Sequence, residues 1–268
     1  MDIHAPIGVL DSGVGGLSVL KSLHQLLPHE DFIYVGDTAR TPYGIRTEKE
    51  IRGFVGEMLD WLEGQGVKQV VIACNTLTML GVDTLQAKRK FSIVGMSKGA
   101  RLLLGASKNK KVGVLATPFT ISTETHKKAI LAVDNTASVY PTPCPQFVTL
   151  IEGEQFDSPQ MAEAVAEYVA PLKQAGIDAL ILSCTHFPFI REQLAAAFGP
   201  GVAIVDPAEA TSRQAIAVLR EQGLLRSEGE GRTEICVTAD VERARRLARR
   251  MLPAADCEFR EIDLKQKK

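Results

Sequence analysis

The sequence predicts an α/β protein, and three observations carry that expectation. Short apolar runs alternate along the chain with segments whose apolar positions recur at helical spacing. Several of the runs are continuous rather than alternating, as strands buried on both faces are. Strands separated by helices pair in parallel, because a parallel neighbour needs a long crossover. The rhythm also restarts near residue 98, so two such domains are expected.

Ile7 to Leu10 is the first strand, closed by Asp11-Ser12-Gly13-Val14-Gly15-Gly16, after which Leu17, Leu20, Leu23 and Leu27 fall at helical spacing. Phe32 to Val35 is the second, and the polar loop Gly36 to Gly44 behind it is too long for a tight turn and could reach over a site. Thr47 and Glu50 have capping-box spacing ahead of a helix with Ile51, Phe54, Val55, Met58 and Leu62 on its apolar face. Val70 to Ala73 is the third strand. Beyond Cys74-Asn75-Thr76 one helix is expected to run to about Arg89, with Ser92 to Val94 as the fourth strand.

After the restart, Val112 to Ala116 opens onto Thr117-Pro118-Phe119-Thr120, with Pro118 suited to a first helical turn. Ser138 to Tyr140 reads as a strand, and Pro141, Pro143 and Pro145 hold the chain extended or in turns around Cys144. A helix from Ser158-Pro159 to Lys173 leads through Gly176 to the strand Ala179 to Leu182, which ends in Cys184-Thr185-His186. Ala203 to Val205, a helix from about Ala208 to Glu221, the strand Glu234 to Val237, a helix Val241 to Met251 and the strand Glu258 to Ile262 complete the pattern.

Composition narrows the function classes. With 45% hydrophobic and 24% charged residues, the 268-residue chain has the balance of a soluble globular protein with a sizeable core. Its 31 basic and 32 acidic residues leave a formal charge of −1, which removes any global electrostatic case for nucleic acid or a membrane surface. The densest basic group, Arg243, Arg245, Arg246, Arg249 and Arg250, reads as a solvated helix face. No apolar run approaches the ~18 to 20 residues that span a bilayer, and no signal segment is visible, so a cytoplasmic location is expected. Five scattered cysteines are unlike a disulfide scaffold and predict free thiols.

Two of those thiols share a grammar. Val70 to Thr76 and Ala179 to His186 are both apolar strands that end in a cysteine and small polar residues. Ligands of α/β proteins bind beyond the carboxyl ends of the strands, which puts Asp11, Cys74, Thr117 and Cys184 at ligand-binding edges. A thiol at a helix start beside polar residues is a usable base near neutral pH. Taken singly, either cysteine also fits a buried structural thiol, Asp11 fits a helix cap, and His186 fits a hydrogen-bonded helix start. Gly13-Val14-Gly15-Gly16 lacks the third glycine of the dinucleotide fingerprint, since Ser18 stands there. Cys184 and His186 lack partners at metal-ligand spacing, so no metal is expected, and neither thiol lies in a Cys-x-x-Cys redox motif. Two thiols across one ligand suit cofactor-free racemisation, in which one removes a proton from carbon and the other returns one to the opposite face. Asp11 is placed to serve Cys74 and His186 to serve Cys184.

Over nearly its whole length the sequence resembles the glutamate racemases of the cofactor-independent aspartate/glutamate racemase superfamily. The resemblance rests on Gly8 to Ser18, Gly36-Asp37, Pro42-Tyr43-Gly44, Ala73 to Thr76, Thr117 with Thr120, and Cys184 to Pro188, in that order. It implies two similar doubly wound parallel-sheet domains with the active site in the cleft between them, the first discontinuous (residues 1–97 plus 208–268) and the second inserted (98–207). It implies that Cys74 and Cys184 are the acid/base thiols, with Asp11 assisting the first and Glu152 and His186 the second. Ser12, Pro42, Tyr43, Gly44, Asn75, Thr76, Thr117, Thr120 and Thr185 would hold a small amino-acid substrate, with no cofactor. A homodimer and a role in supplying D-glutamate for peptidoglycan are implied as well. The chain departs from the usual pattern at Leu77-Thr78, where Ala-Ser is common, and at Gly95-Met96-Ser97-Lys98, both of which bear on substrate choice, rate and domain motion. Rival readings are a racemase for aspartate or another small carboxylate, and a racemase-like protein that binds without turnover.

Overall fold

The structure, a computed structural model, describes residues 1–252 and 256–265. The chain forms two compact units, Met1–Met96 with Ala208–Lys268, and Ser97–Pro207. In chain order the elements are β1 (Ile7–Asp11), α1 (Leu17–Leu26), β2 (Phe32–Gly36), a 3₁₀ turn (Tyr43–Ile45), α2 (Glu48–Gly64), β3 (Gln69–Ile72), α3 (Asn75–Thr78), α4 (Val82–Gln86), β4 (Ser92–Gly95) and α5 (Ala100–Ala106). They continue as β5 (Lys111–Ala116), α6 (Pro118–Ser122), α7 (Thr125–Val133), β6 (Ser138–Pro143), α8 (Pro145–Glu152), α9 (Pro159–Ala175), β7 (Ala179–Leu182), a 3₁₀ turn (Phe187–Ile190) and α10 (Arg191–Phe198). The last are β8 (Ala203–Val205), α11 (Ala208–Glu221), β9 (Thr233–Val237), α12 (Val241–Met251) and β10 (Glu258–Glu261).

The first unit holds a six-stranded sheet in the order β10-β9-β2-β1-β3-β4, and the second a four-stranded sheet in the order β6-β5-β7-β8. All pairings in both are parallel. Every residue of β1, β3 and β7 is buried, so both faces of those strands are covered, as their unbroken apolar runs require. Each sheet repeats one arrangement: its first strand lies between its second and its third, and the fourth lies beyond the third. The chain therefore leaves the first and third strands in opposite directions, which opens a crevice at their carboxyl ends. In the first unit that is the β1/β3 position, and in the second the β5/β7 position.

Local chemistry explains the elements that frame these crevices. Thr47 and Glu50 form a reciprocal capping box at the start of α2. Thr117 caps α6 with Pro118 in its first turn, and Ser158 caps α9, which Gly176 ends at φ +70°. Two expected helices are broken. The segment after Cys74 is not one helix to Arg89 but α3 and α4, because the chain turns at Gly81 with φ +90°. Likewise the segment after Pro118 divides into α6 and α7 at Glu124, a non-glycine residue at φ +54°.

At the amino end of the first sheet, away from the crevice, Lys68 and Glu30 form a buried ion pair of 2.6 Å. The Lys68 ammonium also donates to the Ile3 carbonyl, and Glu30 accepts the Arg226 amide, so the pair is hydrogen-bonded as a buried pair must be.

Candidate active site

In the first unit the strand ends are drawn together by a glycine turn. A Cβ on Gly16 would lie 2.8 Å from the Asp11 Cβ and 2.9 Å from the Ala73 Cβ, and one on Gly36 would lie 2.3 Å from the Gly13 carbonyl oxygen. Only glycine fits at either place. The Tyr34 hydroxyl donates to that Gly13 carbonyl at 2.8 Å, and Asp11 Oδ1 accepts the Gly13 amide at 2.8 Å. Asp11 is wholly buried, and so nearly are Ser12, Cys74, Asn75 and Thr76. Ser12 Oγ lies 3.7 Å from Cys74 Sγ. Both amide atoms of Asn75 are buried with no hydrogen-bond partner among the described residues, an arrangement that a bound polar ligand would satisfy.

The equivalent position of the second unit carries more charge. Cys184 Sγ lies 3.9 Å from His186 Nδ1, and His186 Nε2 lies 2.8 Å from Glu152 Oε1. All three residues are buried, with Glu152 supplied by the last turn of α8. Burial by itself would lower the His186 pKa; hydrogen bonds to Cys184 and Glu152 and their charges outweigh it and hold the imidazole well above its ordinary value. Thr117 Oγ1 donates to Thr120 Oγ1 at 3.1 Å and accepts the Thr120 amide at 3.4 Å, beside the end of β5. Thr185 is buried between the thiol and the imidazole in sequence.

Comparisons with known proteins identify the family and the fold. Residues 7–215 match the Asp/Glu/hydantoin racemase family. The chain belongs to that family. It is 42% identical over 219 residues to the glutamate racemase of Exiguobacterium sibiricum, a match that spans 81% of each chain. Its fold matches the crystal structure of a glutamate racemase isoform from Bacillus anthracis with a TM-score of 0.89 at 33% identity, over 97% of this chain and 98% of that one. It also matches the glutamate racemase of Francisella tularensis, solved in complex with D-glutamate, with a TM-score of 0.87 at 32% identity, over 98% and 99% of the two chains.

Within this family member each expected site residue can be placed. Asp11, Ser12, Asn75, Thr76 and Cys74 gather at the β1/β3 ends, and Thr117, Thr120, Thr185, Cys184, His186 and Glu152 belong to the second unit. Pro42, Tyr43 and Gly44 lie in the long loop after β2, where Tyr43 and Gly44 are buried. The Tyr43 side chain has a different partner from the one a substrate contact requires. Its hydroxyl donates to Asp37 Oδ2, and burial together with the Asp37 charge raises its pKa, so it stays a neutral donor to Asp37. What Tyr43 can offer a ligand is then its backbone amide.

Two residues with no expected role emerge. Asp37 is buried and also accepts Arg40 Nε at 2.5 Å and the Thr238 hydroxyl at 2.9 Å, which ties the Tyr43 loop to β9. Its signal was the Gly36-Asp37 motif, without a partner in sequence to read it against. Cys144, the residue before α8, is buried, and burial with the nearby Cys184 pushes its pKa far up, so it stays a thiol. A cavity of about 520 Å³ in the first unit, lined by Asp37, Arg40, Glu57 and Asp263 among others, lies behind the Tyr43 loop and contains neither Asp11 nor Cys74. Among the described residues no group of three or more His, Cys, Asp or Glu could hold a metal ion, and no helix is long and apolar enough to cross a membrane.

Proposed function

We propose that the chain interconverts L- and D-glutamate by two-base proton transfer, with Cys74 and Cys184 as the acid/base thiols. The observation that carries the reading is the equivalence of the two cysteines, each just beyond the third strand of a sheet with the same four-strand order, in a chain of the racemase family. One thiolate removes the α-proton. The other cysteine, as a thiol, delivers a proton to the opposite face of the planar carbanion, so the configuration inverts and the two thiols exchange protonation states.

The α-proton is a very weak acid, so charge that develops toward the α-carboxylate must be stabilised by fixed donors in a dry site. Hydroxyls of Ser12, Thr76, Thr117, Thr120 and Thr185, the Asn75 amide and the backbone amides of Tyr43 and Gly44, which follow Pro42, supply neutral donors for the two carboxylates of glutamate. Both thiols are nearly buried, Cys74 at 5% and Cys184 at 6% exposure, which suits exclusion of water. Asp11 manages the proton of Cys74, and the His186–Glu152 pair that of Cys184. A cytoplasmic homodimer supplying D-glutamate for peptidoglycan completes the reading, with sedimentation as the check on the dimer.

The test is incubation with L- or D-glutamate in D2O, following optical rotation and loss of the α-proton by NMR, with aspartate as a parallel arm. Racemisation with solvent exchange is expected for glutamate. Exchange with aspartate alone would move the substrate to the rival reading, and no exchange with either would leave a binding protein.

A further inference from the structure

Thr78 closes α3, and its hydroxyl makes two bonds. It donates to the Cys74 carbonyl at 2.9 Å and accepts the Met96 amide at 3.0 Å. The first is common for threonine in a helix, where the hydroxyl bonds back to residue i−4. The second is not local. Met96 follows β4 and is the last residue of the first unit before the chain passes to the second.

The surroundings are built around this contact. The Cys74 carbonyl also receives the Thr78 amide at 3.0 Å, so both donors of Thr78 converge on the residue that carries the thiol. A Cβ on Gly95 would lie 2.7 Å from Thr78 Cγ2 and from Val82 Cγ2, so the absence of a side chain there lets the end of β4 lie against α3 and α4. Met96 Sδ in turn accepts the Thr211 hydroxyl at 3.7 Å, from the α11 turn that follows the return of the chain at Ala208. Leu77, beside Thr78, is wholly buried. The two residues that depart from the usual Ala-Ser are thus one core residue and one hydrogen-bonded bridge.

We propose that Thr78 is a positioning residue for Cys74, holding the thiol in register with the strand end at which the chain passes from the first unit to the second. The proposal rests on the reading of Cys74 as an acid/base group. The contact it protects is the 3.7 Å approach of Ser12 Oγ to Cys74 Sγ, which is near the limit for a hydrogen bond to sulfur. A displacement of a few tenths of an ångström removes that donor from the thiolate, and the thiol becomes harder to ionise.

Thr78→Val keeps the shape and removes the hydroxyl, and Thr78→Ser keeps the hydroxyl. For Thr78→Val, kcat should fall about three- to tenfold, no more than loss of the Ser12 contact itself would cost, while KM moves less than about twofold, as expected of misplacement rather than lost binding. Alkylation by iodoacetamide, followed by peptide mapping across a pH series, should show the Cys74 midpoint moving upward while that of Cys184 stays. Thr78→Ser should restore both. The proposal is overturned if Thr78→Val keeps the parent kcat and Cys74 profile. It is equally overturned if both variants lose activity together with melting temperature and shift both cysteines alike. Alkylation needs no turnover, so failure here is distinct from failure of the racemase reading, which would appear as absent exchange in the unsubstituted protein.

Discussion

Cys74 and Cys184 follow the third strands of two sheets built in one order, yet the groups beside them differ in kind. Cys74 has a neutral hydroxyl, Ser12, at 3.7 Å, and the Asp11 carboxylate, at the end of the neighbouring strand β1, accepts the Gly13 amide. Cys184 has an imidazole at 3.9 Å that is itself bonded to the Glu152 carboxylate. The fold repeats the position of the thiol without repeating its chemistry. A positive group beside one thiol favours its thiolate, whereas a neutral donor favours it less and a carboxylate opposes it. In the two-base reading proposed above, the two thiols thus sit beside groups of different charge.

The largest expected effect breaks both halves equally. Cys74→Ser and Cys184→Ser should each lower kcat by about 10³-fold or more, because an alcohol is a far weaker acid than a thiol and acid/base catalysis is worth 10² to 10⁴. Measured by circular dichroism with each enantiomer, substantial turnover by either variant would refute the pairing of the two thiols. Separating the halves takes milder changes. His186→Asn removes a charged partner from Cys184 and should cost about 10- to 100-fold in kcat, the range for a hydrogen bond to a charged group. Ser12→Ala removes one long neutral contact and should cost about 10-fold or less. Equal losses in the two variants would show that the charge on the Cys184 side confers nothing beyond what a hydroxyl does.

How much of this contrast was legible in the sequence follows from what made each part. The strand ends were readable because Ile7–Asp11, Gln69–Ile72 and Ala179–Leu182 are buried on both faces, so their apolar runs are continuous and stop where polar residues begin. The breaks of the helices were harder. Gly81 turns the chain at a residue with a visible signal, but Glu124 at φ +54° is a side chain held there by its surroundings and leaves no mark in the pattern. The partner of Tyr43 and the proximity of Cys144 to Cys184 were invisible for another reason. Each depends on which loop packs against which across the sheet edge, and periodicity says nothing about that.

The smallest expected effect tests whether His186 is charged in the folded state. Its pKa is raised well above 6.5, with burial opposing and the bonds and charges of Cys184 and Glu152 prevailing. A group whose pKa is higher folded than unfolded binds its proton more tightly on folding. Its stabilisation is thus complete below the unfolded value of about 6.5 and is lost as pH rises through the folded value. The double variant His186→Asn, Glu152→Gln removes the pair without leaving either charge buried alone. Melting temperatures of the parent and the double variant, taken from pH 6 to about pH 9 at constant ionic strength, should differ most at the acid end and converge as pH rises. A gap that stays constant would mean that His186 binds its proton no more tightly folded than unfolded, and the contrast between the two thiols would then rest on hydrogen bonding alone.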